Sequence, residues 1–173
     1  LNGRITITPE ALQIEKIRGK LDSGRFNLNG QVKLHDFSPG EMKIDFVARA
    51  LPIKVPDTLD VLLQSDLTFS GTLENSLLAG EVIIVEGVYY KDVETSILAA
   101  TKRKRTVSPK KQDEPDPMLK KLKLDISVKR RNPFLVDNNL AYLDINPDIR
   151  ITGTAADPKI QGRTTIESGT IRF

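Results

Sequence analysis

Residues 148–173 read DIRITGTAADPKIQGRTTIESGTIRF. Apolar and polar residues alternate up to Gly153, a cluster of turn formers (Ala155, Asp157, Pro158) follows, and alternation resumes from Ile160 to Ile166. Ser168-Gly169 then precedes Thr170, Ile171 and Phe173. A two-residue period broken by Gly, Asp and Pro is the signature of short strands joined by tight turns. The stretch therefore predicts strand, turn, strand, turn, strand.

The same cadence stands 82 residues earlier, in DLTFSGTLENSLLAGEVIIVEGVYYK at 66–91. Aligned without a gap, the two blocks share Asp66/Asp148, Gly71/Gly153, Thr72/Thr154, Gly80/Gly162, Ile84/Ile166 and Gly87/Gly169. All three glycines of each block coincide, which favours an internal β-repeat over two unrelated hairpins.

Outward from these blocks the chain keeps the same period. Arg4–Thr8 predicts a short strand closed by Pro9-Glu10, and Leu12, Ile14 and Ile17 a second one ending near Gly19. After the turn former Asp22-Ser23-Gly24, Phe26, Leu28, Gly30, Val32 and Leu34 alternate with Asn27, Asn29, Gln31 and Lys33. The loop 35–41 leads to Met42, Ile44, Phe46, Ala48 and Ala50, again alternating with charged residues. Two prolines at 51–56 predict interrupted pairing, because proline has no N–H to give a ladder. Leu59, Leu62 and Leu63 fit a helical turn or a strand leading into Leu67 and Phe69, and a strand is expected to continue from the first block to Ala99.

Residues 102–117 change character, with three prolines, nine charges and Val107 as the only aliphatic. Such a segment cannot supply a core and predicts a disordered basic and polar loop, with a helical turn starting at Asp116-Pro117. Beyond it Leu122, Leu124, Ile126 and Val128 alternate with Lys123, Asp125, Ser127 and Lys129. Asn132-Pro133 predicts a turn, and Phe134 and Val136 a strand reaching Ile145 with a polar break at 137–139.

No stretch holds a helical period for more than two turns. The fold class predicted is all-β: a long curled antiparallel meander, taco- or trough-like, of about eleven or twelve strands. It forms one domain over residues 1–173, with the loop 102–117 inside it. Its hydrophobic inner face has to be covered, by the far half of a sandwich or closed barrel, or else left as an open groove. The start at Leu1 and the mid-strand end at Phe173 read as one piece of a longer repeat protein.

Composition narrows the function. There is no Cys, and His35 is the only histidine, so a metal centre or thiol chemistry lacks its ligands. The aspartates at 22, 36, 57, 60 and 157 lie in or beside turns, where Asp accepts local N–H bonds, and no serine has a nucleophile-elbow context. The glycines are spread out and do not form a phosphate-cradling loop. No enzyme activity, catalytic residue, metal or cofactor is expected. Net charge is +3, yet residues 102–111 alone carry six Lys or Arg, so the rest sums to about −3. No aromatic interleaves that run and acidic residues follow it, which reads as a solvated loop and not a nucleic-acid site. No run reaches the ~20 apolar residues of a membrane span.

The strand, Gly-Thr, turn, apolar residue, Gly, strand rhythm resembles the C-terminal β-repeats of the TamB family, bacterial envelope proteins of the AsmA-like superfamily. The phrase GTAADPKIQG at 153–162 carries the likeness most closely, and the glycine cadence extends it from about Gly19 to Phe173. The resemblance implies a periplasmic, inner-membrane-anchored β-structure whose groove conducts phospholipids between the membranes and supports outer-membrane protein assembly. Its implied partners are phospholipid acyl chains and a BamA-like outer-membrane barrel of TamA type. Groove residues expected on this basis are Met42, Ile44, Phe46, Leu67, Phe69, Val82, Ile84, Leu122, Leu124, Ile126, Val128, Ile149, Ile151, Ile160 and Ile166. The alternative expectation is a structural β-scaffold that docks the barrel by edge-strand addition and carries no lipid. The basic loop has no place in the shared rhythm.

Overall fold

A computed structural model of the chain describes residues 1–93 and 116–172. Among these, ten strands form one sheet: β1 (Asn2–Ile7), β2 (Ala11–Leu21), β3 (Gly24–His35), β4 (Ser38–Val55), β5 (Leu59–Gly71), β6 (Ser76–Tyr89), β7 (Leu122–Arg130), β8 (Phe134–Asp137), β9 (Ala141–Gly153) and β10 (Pro158–Ile171). The order across the sheet follows the chain from β1 to β7, then β9 and β10, with β8 pairing β6 and β9 beyond the end of β7. The all-β, curved-sheet expectation holds, with ten strands in place of eleven or twelve. No described helix is long and apolar enough to cross a membrane.

Strands join where local chemistry supplies the turn. His35 pairs with Ser38 across Asp36-Phe37, whose φ values of 47° and 61° make a two-residue hairpin in place of the longer loop expected at 35–41. Residues 59–64 are strand, since β5 pairs there with β4 on one side and β6 on the other, and Thr58 belongs to the preceding turn. The predicted helical turn at Asp116 is present as α1 (Pro117–Lys121), with the Asp116 carboxylate accepting from the Met118 N–H.

Several expected interruptions are absent, for one shared reason. β4 runs on through Pro52, which pairs with Leu62 of β5, but β3 has already ended opposite Arg49. The missing N–H of Pro52 therefore faces an open edge. Pro147 likewise sits inside β9, level with the gap between β7, last paired at Asp148, and β8, first paired at Ile145. Asn132-Pro133 does not turn the chain. It kinks a line that β7 and β8 share between β6 and β9, while Arg131 and Asn132 donate to the Ile84 and Val85 carbonyls. The true turn is the polar break, where Asn138 Oδ1 accepts from the N–H groups of Leu140 and Ala141.

Pairing is antiparallel except at one seam, where β6 meets β7 and β8 in parallel. Parallel neighbours need a crossover of a dozen or more residues to bring the chain back to the same end. Residues 90–121 are that crossover. β6 ends at Tyr89, short of the expected Ala99. The expected loop 102–117 falls within the crossover, and its residues 102–115, like 94–99, lie outside the described ones.

Bulges interrupt β2 between Ile14 and Ile17, β4 between Ala48 and Leu51, β6 beside Val85, and β10 beside Glu167. They step diagonally across the sheet. A bulge bends and over-twists the strand that carries it. Among the described residues no second layer covers either face. Ala48 and Val61 are the only buried hydrophobic residues among those described, and no large side chain is fully buried. A sandwich or a closed barrel would seal its inner face, and in this sheet β1 and β10 remain separate edges.

Candidate functional site

Register alone assigns each side chain to a face, because residues directly opposite on neighbouring strands point the same way. Following the pairs across the sheet gives continuous rows. One row runs Ile17, Leu28, Phe46, Leu67, Gly80, Ile126, Ile151 and Ile160. The next takes Ile5, Ile14, Gly30, Ile44, Phe69, Leu78 and Leu124. Beyond it lie Val32, Met42, Gly71, Ser76 and Leu122. On the other side stand Phe26, Ala48, Ser65, Val82, Val128, Ile149 and Gly162, then Leu63 with Ile84, then Ile145 with Ile166.

All fifteen expected residues therefore share one face. Thirteen are half-buried, while Ile160 and Ile166, both on the edge strand β10, are 67% and 60% exposed. The same face also holds Val61, Gly87, Phe134 and Ile145 in one row, beyond the bulges. Plain alternation along their own strands finds Val61, Phe134 and Ile145, and one extra residue at the β6 bulge finds Gly87. Phe26 and Phe46 pack on this face with ring centroids 6.0 Å apart, tilted by 33°.

The opposite face is wired by charge. Arg150 of β9 grips Asp125 of β7 with Nε–Oδ1 and Nη2–Oδ2 distances of 2.5 and 2.7 Å. That hydrogen bonding holds the Asp125 carboxyl below its usual range and raises the guanidinium. Lys33 Nζ donates to Glu41 Oε2 at 2.8 Å, which raises the amine and lowers the carboxyl. Lys129 lies 3.5 Å from Glu81, and the Thr68 hydroxyl donates to Asp45 at 2.7 Å. These pairs cross strand boundaries, so they pin the register that keeps the aliphatic rows together.

A half-buried cluster stands where β7 breaks into β8: Arg130 pairs with Asp144 and reaches Glu167 at 3.8 Å, and Asn146 also donates to Glu167. His35 closes the β3–β4 hairpin opposite Ser38. Among the described residues, no group of three or more His, Cys, Asp or Glu gathers as a metal site would require. A hollow of about 230 Å³ is lined by Gln31, Lys33, Glu41, Lys43, Met42 and Gly71. What the arrangement offers chemically is a continuous aliphatic surface that no other described residue covers.

The family model for the TamB C-terminal domain matches residues 15–173. No curated protein and no solved structure matches the chain.

Proposed function

The chain belongs to the TamB family, whose members work in the translocation and assembly module with a TamA-type partner, and on that premise we propose that its aliphatic face carries phospholipid acyl chains. The reading places the chain in the periplasm, with a BamA-like, TamA-type outer-membrane barrel at the receiving end. Lipid delivery in turn supports outer-membrane protein assembly. No reaction is catalysed and no cofactor takes part.

One observation carries this reading: among the described residues the aliphatic rows cross the strands without a covering layer. With strands about 4.8 Å apart, eight spacings from β1 to β10 make a track of roughly 38 Å at right angles to the strands. An acyl chain exposed to water costs about 0.8 kcal/mol per CH₂, and a track of Ile, Leu, Val and Phe removes that cost at every step. Glycines at Gly30, Gly80 and Gly162 fall in the same rows, at points where the neighbouring backbone comes too close for a Cβ. On this reading the aliphatic face is the lining of the trough, and the headgroup projects from the open side into solvent.

The test is to place a carboxylate in the row. Ile126→Glu and Ile151→Glu stand opposite each other on β7 and β9. In an open trough the new carboxylate reaches water, so both variants keep the β circular-dichroism spectrum. Photo-crosslinking of phospholipid to a probe at Ile149 is lost in both. Unfolding of both variants would show a sealed core, and undiminished crosslinking in folded variants would remove the lipid path from this face.

A further inference from the structure

The face opposite the aliphatic rows carries one line of cations without counter-charges. Lys20 of β2 stands directly opposite Arg25 of β3, and Arg25 directly opposite Arg49 of β4. All three side chains are exposed, and exposed Arg18 lies in the next row, opposite Asn27. Like charges directly opposite, with Cβ atoms about 5 Å apart, destabilise a sheet. The one other such pair among the described strands, Asp66 and Glu81, is relieved by Lys129, 3.5 Å from Glu81. Lys20, Arg25 and Arg49 form no ion pair among the described residues. β3 and β4 are interior strands between β2 and β5, so the row owes nothing to an open edge. Arg49 is also held in place, its Nη1 donating to the Ala48 and Ser65 carbonyls at 2.9 and 3.2 Å.

We propose that this row docks the protein on an anionic phospholipid bilayer, whose phosphates supply the missing counter-charge. Magnitude chooses the occupant. A single exposed ion pair contributes little, so one free phosphate is held weakly. A bilayer surface offers a phosphate to every cation of the row at once, each adding about fivefold to the affinity. An acidic protein would need an apolar anchor at the centre of the contact. The outward residues of β3 are Arg25, Asn27, Asn29, Gln31 and Lys33, and none is apolar. The docking surface rests on the unrelieved like charges and not on the lipid path, which lies on the other face.

Co-sedimentation with phosphatidylglycerol vesicles, set against phosphatidylcholine vesicles, tests it. The protein sediments in excess with the first. Arg25→Gln weakens that excess about fivefold, the worth of one cation at an anionic surface. Arg25→Glu weakens it further and raises the melting temperature, because the new carboxylate stands between Lys20 and Arg49. Lys43→Glu makes the same change of net charge about 20 Å away along β4, and most of the excess remains.

Equal losses in Arg25→Glu and Lys43→Glu would show that net charge alone governs binding and would overturn the proposal. So would undiminished sedimentation of Arg25→Glu, which would move the contact to the basic run 102–111. Release by inorganic phosphate at the concentration of the lipid phosphate would make the ligand a free anion, and tighter binding of soluble polyglutamate would make it an acidic protein. Either result also sinks the bilayer assignment. The aliphatic face meets both vesicle types alike, so failure of the lipid path leaves the difference between them intact.

Discussion

Two hairpins of this molecule, β5–β6 and β9–β10, are nearly superposable in their pairing and opposite in their surroundings. Gly71 pairs with Ser76 and Gly153 with Pro158, Leu67 with Gly80 and Ile149 with Gly162. Thr72 and Asn75 exchange backbone hydrogen bonds at 3.1 and 3.3 Å, and Thr154 and Asp157 do so at 3.2 and 3.0 Å. In both turns the threonine hydroxyl also accepts from the fourth residue. Even the bulged residues correspond, Val85 and Glu167. Yet every residue of β10 is exposed, whereas β6, between β5 and β7, is mostly half-buried. Hairpin geometry is thus set by a few Gly, Thr and Asn/Asp positions, while burial is set by what lies on the next strand.

The sharpest way to break the comparison is at its most constrained matched position. Gly80 and Gly162 have φ of 141° and 137°, and a Cβ there would meet the carbonyl oxygens of Asp66 and Asp148 at 2.1 and 2.3 Å. Gly80→Val, hemmed in on both sides, is expected to cost more than about 3 kcal/mol through clash and backbone strain. Gly162→Val should cost visibly less, because β10 can shift outward. Gly40, whose nearest neighbour would lie at 3.4 Å, is the control position. Gly3 is not, as its Cβ would meet Ile17 Cα at 2.7 Å. Chemical denaturation of the three variants decides, and equal costs at Gly80 and Gly162 would show that the edge strand is held as firmly as the interior one.

A smaller contrast is expected at the shared isoleucine. Ile84→Ala should cost about 2 kcal/mol and Ile166→Ala well under 1, since the second side chain is already mostly in water. Melting curves that shifted equally would mean that Ile166 is covered in solution.

The smallest effect concerns the pair that ties β7 to the second copy. Asp125 is held below the usual carboxylate range by Arg150, so its contribution is present above the unfolded-state value and is lost as pH falls through the folded one. Asp125→Asn should flatten the acid side of the stability profile while barely changing the melting temperature at neutral pH, because the pair is solvent-exposed. An unchanged acid limb would show that the pair adds nothing to folding.

Much of this fold was legible because a two-residue period survives in the plain sequence. The faces of β3, β4, β7 and β9 follow from alternation alone, and the matched glycines located the repeat. Ser168-Gly169 misled, since glycine at positive φ serves a bulge as readily as a turn. β10 runs through it unbroken, with Gly169 opposite Leu143. The prolines misled for a related reason: whether a missing N–H matters depends on the neighbouring strand, which no local pattern specifies. Strand direction was equally hidden, because alternation reads the same in parallel and antiparallel pairing. The candidate face was found at the alternating aliphatics; Val61, Phe134 and Ile145 keep the phase of their own strands, and the bulges that change phase lie on β4, β6 and β10.

The parallel seam has a kinetic consequence. Strands β1 to β6 form by successive hairpins, each closing a loop of only a few residues, whereas docking β7 on β6 closes the connection 90–121. Closing a loop of that length costs about 3 kcal/mol of chain entropy before any contact forms across it. Non-local pairing of this kind slows folding. The molecule should therefore assemble as two independently zipping halves that meet at the seam last. Pulse-labelled hydrogen exchange during refolding would then protect the amides of β4 and β5 before those of β7, and simultaneous protection would rule the order out.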